Sequence, residues 1–370
     1  MRLCKLMLLN QLRKIKAYSI AIPLYYYFKY FGIDNRANDK IVVLNIKNVE
    51  FKRYLYLFVK FLHLGGYSIY ITTDFPTFYK LYKDQYINFL FREKIIKAGD
   101  PPANRNVKYI DDSVLCADYF SHPYLPHLSK TSYFVPMQQH PLMYHTGWWN
   151  EPLANAKRKK SLFMAGNFDE QSYTPIERDG LFKTISRLMV HKHLNTNGLL
   201  YYIQDMPQLR TFLDDEHIDE KVILINRLKT DVPMNELRHI LSRFDFYFAL
   251  PGVVMPFSHN IIEAMSVGCI PFLQDEYAAM FKPKLINGKN ALTFYDEEDL
   301  QAKITSLFNL DKSEIKRMQD EVLNYYYAYL TPESVVKALE DINFNKIYLQ
   351  AEHHSVDLMK AAQTSLASLN

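Results

Sequence analysis

The stretch FDFYFALPGVVMPFSHNIIEAMSVGCIPFLQD, residues 244–275, restricts what this chain can become more than any other part of it. Phe244 to Leu250 is a short aromatic and aliphatic run, the composition of a strand buried on both faces. Pro251-Gly252 stops it. From about Ser258, Ile261, Ile262, Met265 and Val267 recur near a 3.6-residue period, and Gly268 supplies a stop that tolerates the left-handed conformation. Ile270 to Leu273 then reads as a second strand. Strand, loop, helix, strand is a parallel α/β unit, and its loop falls at the carboxyl end of a strand, where open α/β sheets bind ligands. Ser258, His259, Asn260 and Glu263 crowd the helix start. An anion such as phosphate is favoured there, because the first N–H groups are free and the helix dipole is positive.

The same logic runs through the rest of the chain. IVVLNI (41–46) reads as a strand, 49–64 as a helix ended by Gly65-Gly66, and Tyr67 to Thr72 as the next strand, a βαβ unit that is parallel and right-handed by default. The pattern predicts a helix over 75–98 and strands at VKYID (107–111) and SYFVPM (132–137). Glu151 to Lys160 reads as a linker, with Lys157, Arg158, Lys159 and Lys160 as a solvated charge run. SLFMAGNFDE (161–170) restarts the pattern with a strand that ends in Gly166-Asn167, where a glycine lets backbone approach a ligand. A helix over 178–190, strands GLLYYIQD (198–205) and KVILINRL (221–228), and a helix over 230–245 that starts at Thr230 or Asp231 lead back to the opening stretch. A strand and helix within 286–310, a helix over 313–342 and a helical tail from about 346 follow. The expectation is two Rossmann-like α/β domains, 1–155 and 156–345, with a tail at 346–370, which suits a 370-residue chain.

Composition narrows the function classes. With 48% hydrophobic and 23% charged residues the chain is a folded globular protein. Its formal net charge of +4 is too small to argue for a nucleic-acid partner. Three widely separated cysteines, Cys4, Cys116 and Cys269, make no disulfide framework and suit a reducing cytoplasm. Arg2, Lys5, Arg13, Lys14, Lys16 and Lys29 all precede the first acidic residue, Asp34. That lead is too interrupted for a signal peptide or a membrane span. It reads as a basic amphipathic segment that either lies on an anionic inner leaflet or packs as the first helix of the N-terminal domain. The many Tyr and Phe residues fit an aromatic-rich core, or stacking against sugars. His122 and His127 in SHPYLPH, and His140 and His145 in QQHPLMYHTGWW, invite a metal reading. Carboxylates and thiolates at ligand spacing are missing, as is any Asp-x-Asp pair, so these histidines are assigned to loop contacts and no metal is expected.

Four pieces in order, AGN after a strand, the VPMNELRHIL helix, SHNIIEAMSVGCIPFL and INGKNALTFYDEEDLQAKI, make residues 161–340 resemble the donor-binding domain of GT-B glycosyltransferases. The third is similar to the E-A-(M/L)-x-x-G-x-x-P segment of sugar-nucleotide transferases, exostosin-like and bacterial types included. The resemblance implies two Rossmann-like domains facing a cleft, the first for the acceptor and the second for the donor. It also implies a nucleotide-sugar donor, a glycan or lipid-linked acceptor, no metal cofactor, and a role in bacterial surface polysaccharide (lipopolysaccharide, O-antigen or capsule) assembly in the cytoplasm or on the inner face of its membrane. Glu263 matches the glutamate that holds the donor ribose hydroxyls. Ser258, His259 and Asn260 match positions that face the phosphates, with His259 in the place of a basic residue. Gly166, Asn167 and Arg178 are the first-strand candidates for donor contacts. Asp231 and His259 are the catalytic candidates, with helix capping as the alternative for each. Met255 stands eight positions before Glu263, where the retaining pattern has a second glutamate. A CMP-3-deoxy-octulosonate-dependent transferase, an epimerase or phosphorylase, and a non-catalytic glycan-binding protein remain alternatives.

Overall fold

A computed structural model describes residues 2–31, 40–47, 50–102, 107–121, 131–155, 157–173, 181–341 and 345–367. Its contacts divide the chain into two units, Met1–Tyr119 with Ser129–Val135 and Val336–His354, and Phe120–Leu128 with Pro136–Val335 and Ser355–Asn370. The strands are β1 (Ile41–Asn45), β2 (Ser68–Ile71), β3 (Ile96–Ala98), β4 (Val107–Asp111), β5 (Leu115–Cys116), β6 (Ser132–Phe134), β7 (Lys159–Gly166), β8 (Val222–Asn226), β9 (Phe244–Phe248), β10 (Ile270–Gln274), β11 (Leu292–Phe294) and β12 (Lys346–Tyr348). Every pairing among them is parallel, so the protein is α/β with a main parallel sheet in each unit.

In the first unit the main sheet has the order β3-β2-β1-β4. The helix Arg53–Leu64 buries Tyr54, Phe58, Phe61 and Leu62, the residues whose spacing predicted it. Gly66 ends it at φ 88. The single helix expected over 75–98 is broken, because the Asp84 carboxylate accepts from the N–H groups of Tyr86 and Ile87 at 2.9 and 3.0 Å and draws the backbone out of register. Helices Phe75–Lys83 and Asn88–Arg92 remain, and Ile96–Ala98 becomes β3. The SYFVPM strand does not join this sheet. It forms β6 of a separate sheet, β5-β12-β6. The tail expected to be helical begins with β12, whose Tyr348 ring stacks on Phe134 at 4.2 Å, and only then continues as helix His353–Ala367.

The second unit has the order β11-β10-β9-β7-β8. The chain enters at β7, steps to β8 on one side, then returns to lay β9 on the other side of β7. The strand order therefore reverses between β7 and β9, which opens a crevice at their carboxyl ends. Phe163 of β7 and Phe244 of β9 stack at 4.5 Å in a core that also buries Leu162, Met164, Phe246 and Phe248 completely.

Four expectations are corrected here. The charge run is not all solvated: Lys159 starts β7 with a buried side chain, and its ammonium donates to the carbonyls of Asp215 and Ile218 and lies 5.2 Å from the Phe212 ring centre. The GLLYYIQD segment forms no strand, and only Leu200 bridges to Val222. The helix expected from 178 runs instead over Arg187–Thr196, with Ser186 accepting at its N-cap from Met189 N–H at 3.1 Å. The helix expected over 230–245 shrinks to Leu237–Leu241: Asn226 holds the N–H groups of Leu228, Lys229 and Thr230 in a turn before it, and from Phe244 the chain is already β9. Arg178, His122 and His127 lie outside the described residues.

Candidate functional site

The crevice between β7 and β9 is lined by chain ends. Gly166 and Asn167 close β7, Leu250 follows β9, and Ser258 precedes the helix His259–Met265. Into this point projects Arg187, the first residue of its helix, with a relative exposure of 5%. Its Nη2 is 3.3 Å from Ser258 Oγ and 3.4 Å from the Leu250 carbonyl, and its Nη1 is 3.5 Å from the Asn167 carbonyl. The guanidinium carbon lies 5.8 Å from the centre of the Tyr173 ring. These are long contacts to neutral oxygens. Among the described residues no carboxylate pairs with Arg187, and its Nε has no acceptor. A buried cation is favoured by paired and fully hydrogen-bonded surroundings, and this one keeps an unused donor at Nε.

Gly166 makes room for that guanidinium. A Cβ there would fall 2.6 Å from Arg187 Nη1 and 2.8 Å from Met164 Cε. The side chains expected to face phosphate divide their work. Asn260 Nδ2 donates to the Ala165 carbonyl at 3.0 Å and ties the helix start to the end of β7. Asn167 Oδ1 accepts from Asp169 N–H at 2.8 Å and holds the turn after β7. Ser258 presents its hydroxyl to Arg187, while its N–H donates to the Tyr277 hydroxyl at 3.0 Å.

Beside Ser258 in the chain stands the second cluster. Glu263 is fully buried, and its Oε1 accepts from His140 N–H at 3.0 Å and lies 3.0 Å from His259 Nδ1. Burial pushes the carboxyl's pKa up, but the charge and hydrogen bond of His259, together with the His140 N–H, outweigh it and hold the group below its ordinary value. An ionised carboxylate can only accept, so Nδ1 carries the proton toward Glu263 and Nε2 is the ring nitrogen left to face away from it. His259 keeps 21% of its side-chain surface, and its Nε2 has no partner among the described residues. The His140 ring crosses it at 70° with centres 5.0 Å apart.

Sequence reasoning named Ser258, His259, Asn260, Glu263, Gly166 and Asn167, and the fold gathers these at one end of the second sheet. It missed Arg187, and it gave His140 to loop contacts with no link to Glu263. Arg187 carried a faint signal, a basic residue directly after a Ser N-cap, whereas the loop position of His140 gave no sign of its partner Glu263. Asp231 is exposed in the loop after β8 and makes no contact with Arg187, His259 or Glu263. It is not a helix cap either, since Glu236 occupies that place. Met255 is buried in the loop 251–257, which closes on itself through a Gly252 N–H to Pro256 carbonyl bond of 3.0 Å. Among the described residues no three His, Cys, Asp or Glu side chains gather as metal ligands, and no helix is long and apolar enough to cross a membrane.

No known protein family and no curated protein matches this chain. Among solved structures it is similar to Alr3699/HepE of Anabaena in complex with UDP, at 10% identity and a TM-score of 0.38, covering 82% of this chain and 98% of that one. The same protein in complex with UDP-glucose is matched at 10% identity and 0.38, over 81% and 98%. A glycosyltransferase from Rickettsia africae is matched at 11% identity and 0.34, over 82% and 98%. At such identities and scores no residue role is transferred from these proteins.

Proposed function

We propose that the crevice of the second unit holds a nucleotide-sugar donor and that the protein is a GT-B-type glycosyltransferase, passing the sugar to a glycan or lipid-linked acceptor. The observation that carries this reading is Arg187, a buried cation with no carboxylate partner among the described residues, at the point where the strand order reverses. A departing nucleotide leaves with negative charge on a phosphate oxygen, and a guanidinium and hydroxyl already in position stabilise that charge without reorganising. Charge stabilisation is thus assigned to Arg187 and Ser258 rather than to a metal.

His259 is assigned the base. Its Nε2 takes the proton of the acceptor hydroxyl as the acceptor oxygen bonds to the anomeric carbon, and the electron pair of the breaking bond goes to the phosphate oxygen. Glu263 acts through His259 as a positioning residue, because its carboxylate is enclosed and its Oε1 is engaged by His140 and His259. A single displacement of this kind inverts the anomeric centre and needs no acid at Met255. The proposed setting is assembly of a bacterial surface polysaccharide at the cytoplasmic face of the membrane. Its supports are the basic lead and the free thiols of Cys116 and Cys269.

The test is melting of the protein with UDP, GDP, ADP and CMP, since a ligand that binds the native state raises its melting temperature. One nucleotide should stabilise the wild type and not Arg187→Met, and His259→Ala should keep that stabilisation while losing transfer from the matching labelled donor. An equal shift in Arg187→Met, or none with any nucleotide, would sink the reading.

A further inference from the structure

Over residues 18–31 the N-terminal helix Arg2–Phe31 packs on the first unit through one face. Ala21 and Tyr25 are buried, with Tyr25 packed on Phe75 and Phe78 at 5.6 and 5.3 Å, and Phe28 meets Phe91 edge-on at 5.3 Å. Beside these contacts lies a cavity of about 440 Å³ whose walls include Leu24, Phe28, Phe78 and Phe91. That volume falls in the range of about 300–1,000 Å³ typical of small-molecule sites. Among the described residues its charged lining is of one sign: Arg92, Lys94 and Lys97 border it, and no acidic side chain does. Arg92 and Lys94 are exposed and have no ionic partner among the described residues, while Lys97 Nζ lies 5.7 Å from the centre of the Tyr70 ring. The nearest acid in sequence, Glu93, is taken by Lys60.

Two further aromatic residues of the lining, Tyr27 and Phe31, are 63% and 74% exposed, and they continue into exposed Tyr26 and Tyr30 with Lys29 between them. Exposed apolar surface of this kind marks an interaction site, and Tyr with Lys is the chemistry of a bilayer interface, where the rings sit at headgroup depth and the ammonium reaches water.

We propose that this cavity takes one acyl chain of an anionic phospholipid from a membrane surface, with the headgroup phosphate met by Arg92, Lys94 and Lys97. An apolar cavity needs an apolar occupant, and a rim whose described charges are all basic needs an anionic end, so the ligand is an amphiphile. The adjoining aromatic face makes its source a bilayer rather than free solution. The inference rests on the first unit alone and stands or falls apart from sugar transfer.

The test uses the full chain with vesicles of phosphatidylglycerol or phosphatidylcholine, and with monomeric lysophosphatidylglycerol. Sedimentation should show binding to phosphatidylglycerol vesicles, weakened about tenfold or more by the pair Arg92→Glu and Lys94→Glu and on phosphatidylcholine, since each basic residue near an anionic surface adds to affinity. Lysophosphatidylglycerol should raise the melting temperature of the wild type and not of Leu24→Trp, which fills the cavity. As a second readout, Phe28→Trp places an indole in the wall, and its fluorescence should be quenched by phosphatidylglycerol brominated along the acyl chain. An unquenched indole, or vesicle binding with no response to lysophosphatidylglycerol, would mean adsorption by the helix surface alone and would overturn the proposal. Equal binding to the two kinds of vesicle would overturn the headgroup assignment.

Discussion

His259 Nδ1 lies 3.0 Å from Glu263 Oε1, one helical turn further along, and the carboxylate of the pair is completely enclosed while the imidazole is partly open. One end of the pair is thereby fixed and the other left available. The arrangement turns a residue with two tautomers into one with a defined acceptor nitrogen.

That enclosure makes the pair measurable. A double-mutant cycle with His259→Gln and Glu263→Gln should give a coupling of about 1–3 kcal/mol, because the two share one hydrogen bond and removing either leaves a buried polar group. The pH dependence has a definite sign. The folded-state pKa of Glu263 is depressed, so its ion stabilises the fold above the unfolded value of about 4.3 and that stabilisation is lost as pH falls through the folded value. The stability gap between wild type and Glu263→Gln, from urea unfolding, should therefore be full at neutral pH and shrink below about pH 4. A gap that widens in acid would contradict the assignment.

Two glycines at the same crevice should respond differently to alanine. At Gly166 the new Cβ meets the far end of Arg187 and the tip of Met164, both of which can move. Gly166→Ala should cost only about 1 kcal/mol but displace the guanidinium and weaken nucleotide binding about tenfold. At Gly252 the Cβ would sit 2.6 Å from the Met255 carbonyl and 3.0 Å from that of Phe257, backbone that cannot yield cheaply. Gly252→Ala should cost about 2–3 kcal/mol by denaturant melting.

Asp245 in β9 is pushed up to about 6 by burial, despite the nearby charge of Arg158 and a 2.8 Å hydrogen bond from Gln319 Nε2. A raised carboxyl favours the neutral form in the fold, so stability falls as pH rises from the unfolded value of about 3.9 through about 6. Asp245→Asn keeps the acceptor for Gln319 and removes this cost. The variant should match the wild type near pH 4 and exceed it by about 2 kcal/mol at pH 8, measured by thermal or urea unfolding.

Neighbours in the basic run should separate as sharply. Lys157 is exposed and paired with an equally exposed Glu216, so Lys157→Ala should change stability by less than about 0.5 kcal/mol. Lys159 is buried and donates to the Asp215 and Ile218 carbonyls over the Phe212 ring. Lys159→Ala should cost about 2–3 kcal/mol, as two half-buried carbonyls lose a charged donor and the packing of the buried stem is lost.

Much of the second sheet was legible residue by residue. Phe244 to Phe248 and Ile270 to Gln274 are strands where their aromatic and β-branched runs lie, and Gly268 turns the chain at φ 71 where the period stops. Failures came where a side chain competed for the backbone. Asp84 interrupts a helix whose apolar period continues past it, because a carboxylate two residues from a free N–H offers it a bond that periodicity does not register. Lys159 failed differently: four consecutive cations look alike in a string, and only the alternation of β7 sends one of them inward.

The sequence by itself determined the kind of layers, the crevice-forming loop and the candidates Ser258 to Glu263, because strand and helix periods and glycine stops act over a few residues. The tertiary structure alone decided that β12 slots between β5 and β6, that Arg187 meets Ser258 from 71 positions away, and that His140 N–H closes on Glu263 across 123. Such partners are chosen by strand order and by the need to match buried charge, and neither quantity exists until the sheet has formed.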